Sequence, residues 1–98
     1  MEIKMNKNAD KLIVEVIGRL DTLTSPELES KLSPELDGIK DLVLDFKDLD
    51  YISSAGLRVL LGLAQSIEGR GTMTVKNPNV AVMDVFDVTG FSDILNIE

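Results

Sequence analysis

The run Leu42-Val43-Leu44-Asp45-Phe46 constrains the fold of this chain more than any other stretch. Nearly continuous apolar sequence of that kind belongs to a central strand covered by helices, whereas a half-exposed strand alternates. An acidic turn follows, Lys47-Asp48-Leu49-Asp50, and it delivers Ser53 and Ser54 to the first turn of an apolar helix. A hydroxyl placed there is fixed by backbone geometry, faces solvent and sits where N–H groups favour negative charge. That setting suits a residue that gains and loses a phosphate. Nothing elsewhere in the sequence would let the chain phosphorylate itself, so the pattern describes a switch operated by other proteins.

The flanking segments place this unit in an α/β frame. Ile3 and Met5 alternate with polar neighbours and predict a short, partly exposed first strand, followed by turn residues Asn8-Ala9-Asp10. Leu12 to Ile17, bounded by Gly18, predicts a second strand paired with the first as a hairpin. Thr24-Ser25-Pro26-Glu27 opens a first helix: Pro is tolerated early, and Thr24 with Glu27 has capping-box spacing. Leu28, Leu32 and Leu36 mark its buried face, and Ser33-Pro34-Glu35 either kinks it or begins a new turn. The second helix runs from about Ser54 to Glu68, with Leu57, Leu60, Leu61, Ala64 and Ile67 as its core stripe. Gly69 supplies a left-handed C-cap. Thr72 to Val75 predicts a further strand, Asn77-Pro78-Asn79 caps a third helix burying Val80, Met83 and Phe86, and Ile94 to Ile97 forms a last short strand or tail.

Composition removes several functions. The chain has 98 residues, enough for one domain around one core. Its 10 basic residues against 17 acidic ones give a net charge of −7, which opposes nucleic-acid binding and docking on anionic membranes. Cysteine and histidine are both absent, so disulfides, thiolate or imidazole metal sites and a Ser-His-Asp triad are excluded. Ser53-Ser54-Ala55-Gly56 is not a nucleophile elbow, and there is no Gly-x-x-x-x-Gly-Lys phosphate loop. Asp45, Asp48 and Asp50 lack the glycine and terminal Glu of a calcium loop and read as a solvated acidic turn. No secretory leader and no run of ~18 apolar residues is visible, which predicts a cytoplasmic protein without cofactor or metal.

From Asp48 to Leu61 the sequence resembles the STAS domain family, in its single-domain bacterial form that acts as an anti-sigma factor antagonist. That family's Asp-Ser-Ser/Thr-Gly-Leu segment aligns without gaps so that its phosphorylated serine is Ser54, its glycine Gly56 and its leucine Leu57. The family's Asp falls on Ser53 and its second hydroxyl on Ala55. Gly18-Arg19-Leu20-Asp21 resembles the family's Gly-Glu-Leu-Asp loop, and Phe86-Asp87-Val88-Thr89-Gly90-Phe91 resembles the ending of its third helix.

The resemblance spans nearly the whole chain and implies a single STAS domain over residues 1–98. Its expected fold is a mixed four- to five-stranded sheet starting with a β-hairpin, with three or four helices packed mainly on one face. It also implies phosphorylation at Ser54, with Ser53 as the alternative, and a partner surface of Asp21, Ser53, Ser54, Ala55, Gly56 and Arg58. The implied partners are an anti-sigma factor with serine kinase activity and a PP2C-type phosphatase. Two rival readings are a non-phosphorylated STAS subunit of a transporter and a small-ligand-binding STAS module. Residue chemistry alone offers plainer roles: a helix N-cap for Ser54, turn chemistry for Asp21, and close packing or partner approach for Gly56. Gly62 falls opposite the core stripe and is expected to face outward.

Overall fold

The computed structural model describes residues 1–98. Strands β1 (Glu2–Asn8) and β2 (Lys11–Leu20) form the expected antiparallel hairpin, closed by Ala9 and Asp10. Helix α1 (Ser25–Leu32) leads into a 3₁₀ turn at Ser33–Glu35, so the second Ser-Pro pair ends the α-helix and starts a tighter turn. Next come β3 (Asp41–Asp45), β4 (Leu49–Ile52), α2 (Ser54–Ile67), β5 (Thr72–Lys76) and α3 (Val80–Thr89). A 3₁₀ turn at Phe91–Asp93 then precedes the two-residue strand β6 (Asn96–Ile97).

The main sheet runs β1-β2-β3-β5-β6, with β4 attached to β2 outside that path. Only the β1–β2 hairpin is antiparallel; β2–β3, β3–β5, β5–β6 and β2–β4 are parallel. The sheet thus has six strands, one more than the upper expectation, because a strand forms at Leu49–Ile52, where the sequence predicts the end of an acidic turn. That strand is β4. Its sequence, Leu-Asp-Tyr-Ile, buries only its two ends and exposes its middle, so neither alternation nor a continuous apolar run announces it.

Register explains why the helices lie mainly on one face. Leu12 pairs with Leu42 and Leu42 with Met73; Val14 pairs with Leu44 and Leu44 with Val75. All six are buried and belong to one core cluster with Leu28, Leu32, Leu57, Leu60, Val82 and Phe86 from the helices. The opposite face carries the row Ile13, Val43, Thr74 and Asn96, with an Asn96–Thr74 side-chain hydrogen bond of 3.1 Å. Ion pairs flank it: Lys11–Asp41 at 3.9 Å, Lys47–Glu15 at 3.3 Å and Lys76–Glu98 at 3.9 Å. The Leu42-Val43-Leu44 run is therefore buried on both faces, although the helices cover only one.

Two helix faces differ from expectation. On α2 the buried residues are Gly56, Leu57, Val59, Leu60, Leu63 and Ile67, while Leu61 and Ala64 are half-buried. The stripe is broader than a single i, i+3, i+4 line because the helix meets β4, β5 and α1. On α3 the core residues are Val82 and Phe86, and Val80 is 79% exposed. Asp84 and Asp87, four and seven residues after Val80, share its face and turn it to solvent, while Val82 and Phe86 lie opposite. The ends of α3 match the reading: the Asn79 side chain accepts from the Val82 N–H at 2.8 Å, and Gly90 closes the helix with φ +81°.

The two glycines of α2 have opposite surroundings. A Cβ on Gly56 would lie 2.8 Å from Ile52 Cγ1 and 2.9 Å from Leu20 Cγ, whereas one on Gly62 would meet nothing within 4 Å. Gly56→Ala should therefore destabilise the domain by ~1–3 kcal/mol through overpacking. Gly62→Ala should stabilise it by up to ~1 kcal/mol from helix propensity. Urea unfolding of the two variants checks both signs.

Candidate functional site

The site forms where β2 ends and α2 begins. Over Lys11–Glu15, β2 pairs with β3; over its last three residues it pairs with β4, Gly18 with Leu49, Arg19 with Tyr51 and Leu20 with Ile52, and the register of that second ladder shifts between Gly18 and Arg19. Gly18 takes φ +103° at that irregularity, a conformation that glycine adopts without strain. Its N–H donates to the Asp48 carbonyl at 3.0 Å, and the Ser53 N–H donates to the Leu20 carbonyl at 2.9 Å. These bonds dock the start of α2 onto the residue preceding Asp21. Gly56 completes the seat, because only a missing side chain lets the first turn of α2 lie against Leu20 and Ile52.

Ser53 and Ser54 divide their roles here. Ser53, with extended backbone, is the N-cap of α2: its Oγ accepts from the Gly56 N–H at 3.4 Å, and its carbonyl accepts from the Leu57 N–H at 3.0 Å. Ser54 is the first helical residue and is exposed. The capping role read for Ser54 thus belongs to Ser53, which stands where the resemblance places an Asp. Both Asp and Ser are strong N-caps, so the local geometry tolerates the exchange. Ser54 is left with no side-chain hydrogen bond and an accessible hydroxyl.

Asp21 turns out to be a cap as well. Its Oδ1 accepts from the Leu23 N–H at 3.0 Å and the Thr24 N–H at 3.1 Å, while its own N–H donates to the Thr24 hydroxyl at 2.9 Å. Its carbonyl accepts from the Ser25 N–H at 2.9 Å. The capping box is therefore Asp21 with Thr24, three residues earlier than the expected Thr24–Glu27 pair, and Thr24 makes no side-chain cap to the helix that follows. The second carboxylate oxygen is left facing Arg19, with Nε 3.7 Å away. The Thr24 N–H, opposed by partial desolvation and aided by the Leu23 N–H, the Thr24 hydroxyl and Arg19, holds the Asp21 carboxyl below the usual carboxylate range.

Of the other expected site residues, Ala55 is half-buried, Gly56 is buried against the sheet and Arg58 is exposed one turn beyond Ser54. Gly56 therefore seats the helix and does not present itself at the surface. Three neighbours escaped sequence reasoning. Arg19 and Tyr51 are register partners on β2 and β4, and the guanidinium lies 4.4 Å from the ring centroid. Leu23, at the tip of the Asp21 turn, is 88% exposed, and Tyr51 is 40% exposed. Tyr51 is the only tyrosine in the chain, but nothing in the sequence showed it on a strand beside the serines. Exposed aromatic, Arg and apolar side chains together are the composition of an interface centre.

Elsewhere, Asp45 is occupied structurally, accepting from the Lys47 N–H at 3.1 Å and from Asn77 Nδ2 at 3.2 Å. A groove of about 550 Å³ lies along the second half of α2, lined by Leu61, Ala64, Ile67, Met73, Ile94 and Leu95 among others. None of Asp21, Ser53, Ser54, Ala55, Gly56 and Arg58 lines it.

Comparison with known proteins identifies the family of this fold. The STAS domain family matches residues 2–98, and the chain belongs to that family. It is 31% identical over 98 residues to the anti-sigma-B factor antagonist of Bacillus subtilis, covering 99% of this chain and 88% of that protein. An anti-sigma factor antagonist from Mycobacterium paratuberculosis superposes with a TM-score of 0.89 at 21% identity, covering 98% of this chain and 83% of the other. The Bacillus protein SpoIIAA shares the fold in both of its states. Its unphosphorylated form matches with a TM-score of 0.77 at 17% identity, covering 99% of this chain and 87% of that one. The phosphorylated form matches at 0.76 and 18%, covering 99% and 91%. No helix of this chain is long and apolar enough to cross a membrane.

The lowered Asp21 pKa fixes a pH window. A depressed folded-state pKa contributes stability that is fully present above the ordinary value of 3.8 and is lost as pH falls through the lower folded value. With no histidine in the chain, the melting temperature should be nearly flat from about pH 5 to 7. Below that range Asp21→Asn, which keeps an acceptor oxygen but no titrating carboxyl, should lose stability less steeply than wild type. Thermal melts across pH measure this directly.

Proposed function

We propose that this chain is an anti-sigma factor antagonist in a cytoplasmic partner-switching pathway. The unphosphorylated form binds an anti-sigma factor that is also a serine kinase, and that binding frees a sigma factor. The kinase transfers the γ-phosphoryl group of ATP to Ser54 Oγ, leaving ADP, and a PP2C-type phosphatase removes it by hydrolysis. The chain itself performs no catalysis. It presents a surface and accepts a charge.

One observation carries the proposal: an exposed Ser54 begins α2 beside a rigid Asp21 turn, in a chain 31% identical along 98 residues to an anti-sigma-B factor antagonist. Asp21, Ser53, Ser54, Ala55 and Arg58 are the proposed contact residues, extended by Arg19, Leu23 and Tyr51, with Gly56 setting their relative height. Phosphate adds roughly −1.5 to −2 charge at neutral pH. At a helix N-terminus that charge is tolerated, so the switch acts by repulsion and misfit at the interface while the fold persists.

Incubation with the cognate anti-sigma factor kinase and ATP should add one phosphate by intact mass, mapped to Ser54 and abolished in Ser54→Ala. Label on Ser53 alone, or undiminished label in Ser54→Ala, would reject the assignment. Ser54→Asp should melt near wild type, with a stabilisation of at most ~0.3–1 kcal/mol at the exposed helix start, while losing partner affinity in titration calorimetry. Ser54→Ala should bind constitutively. An unfolded Ser54→Asp would overturn the surface-charge mechanism.

A further inference from the structure

Helix α2 carries a single charged side chain, Arg58, in its fourteen residues Ser54–Ile67. Arg58 is exposed. It takes part in none of the five ion pairs of the chain, Lys4–Glu2, Lys11–Asp41, Arg19–Asp21, Lys47–Glu15 and Lys76–Glu98, and it makes no side-chain hydrogen bond. The other arginines are engaged: Arg19 with Asp21 and Tyr51, and Arg70 with the Ser66 and Leu36 carbonyls. In a chain of net charge −7, an unpaired guanidinium on an otherwise uncharged helix calls for an explanation beyond solubility.

Its position supplies one. Arg58 stands four residues after Ser54, so the two Cβ atoms lie about 5–6 Å apart on one helix face. Side chains on a helix lean toward its N-terminus, which tips the guanidinium over the turn that Ser54 occupies. The order is also favourable, since an anion N-terminal to a cation at i, i+4 is the better orientation. Guanidinium is the side chain best matched to bidentate pairing with phosphate. With a neutral Ser53 as N-cap, no capping carboxylate competes for it, and Asp21 has its own Arg19.

We propose that Arg58 is an intramolecular clasp for the phosphate on Ser54. The clasp rests on the reading of Ser54 as the phosphorylated residue. In the unmodified chain Arg58 is a free cation on the partner-facing surface. In the phosphorylated chain it is drawn into an ion pair along α2. Phosphorylation then changes the interface twice, by adding an anion and by withdrawing a cation that a partner's carboxylate would otherwise meet.

The test uses the full chain with phosphoserine genetically encoded at position 54, which removes any dependence on finding the kinase. The probe is the second ionisation of the phosphate, near pH 6 for an unperturbed phosphoserine, followed by ³¹P NMR titration. Relative to the phosphorylated Arg58→Gln variant, the wild-type sequence should titrate lower by about 0.3 pH unit, the scale of an exposed i, i+4 pair. Arg58→Lys should restore part of the difference. Lys7→Gln, which removes an exposed charge on β1, should titrate like wild type. Equal titration of wild type and Arg58→Gln would overturn the clasp. So would a shift that Lys7→Gln reproduces, since that is the signature of net charge alone. Failure of any kinase to label Ser54 would reject the underlying reading without touching the clasp measurement.

Discussion

Everything at the candidate site depends on β2 changing partners partway along its length. Its first half is held by β1 and β3, and its last three residues by β4, with Gly18 absorbing the shift. Because β4 leads directly into α2, the Ser53 N–H to Leu20 carbonyl bond joins the two chain segments that carry the candidate residues. Remove that register and Asp21 and Ser54 belong to unrelated loops. Gly56 is the second half of the same constraint, since a side chain there would push α2 away from Leu20 and Ile52.

The consequence is a platform whose two helix starts are both held by hydrogen bonds. Both sides of the platform are capped, Asp21 holding the turn that starts α1 and Ser53 holding the start of α2. Capping satisfies N–H groups that would otherwise be left open at a helix start. The accessible side chains include the Ser54 hydroxyl, the Arg58 guanidinium, Tyr51 under Arg19, Leu23, Thr22 and Asp50. In the proposed switch the added charge stays at the surface, because the residues beneath it, Leu57 and Leu60, are buried in the core cluster.

Much of this was legible in the sequence, for identifiable reasons. The continuous apolar run at Leu42 announced the central strand, and the Asn79 and Gly90 signals bounded α3 correctly because capping chemistry is local. Orientation and short-strand pairing were less visible. Val80 and Phe86 do not share a face of α3: Asp84 and Asp87 flank Val80 on the helical wheel, and the packing on β4 takes Val82 and Phe86 instead. Strand β4 hid in an acidic segment, since what makes it a strand is the pairing of Leu20 with Ile52 and not its own pattern. The exchange of capping roles between Ser53 and Ser54 turns on a one-residue boundary, and composition cannot resolve two adjacent serines. Tyr51 joins the surface because its neighbour across the sheet, Arg19, is set by register, which the local sequence does not state, and Leu23 because the Asp21 turn holds it outward.

The central claim is that Ser54 switches a surface on a fold that stays still. Amide NMR spectra of the full chain before and after phosphorylation at Ser54 test it most directly. The account predicts shift changes confined to the Arg19–Thr24 turn and to residues 51–58, with the amides of Leu42, Val43, Leu44 and Val75 in β3 and β5 unmoved. Changes spread through those core strands, or a collapse of spectral dispersion, would contradict it.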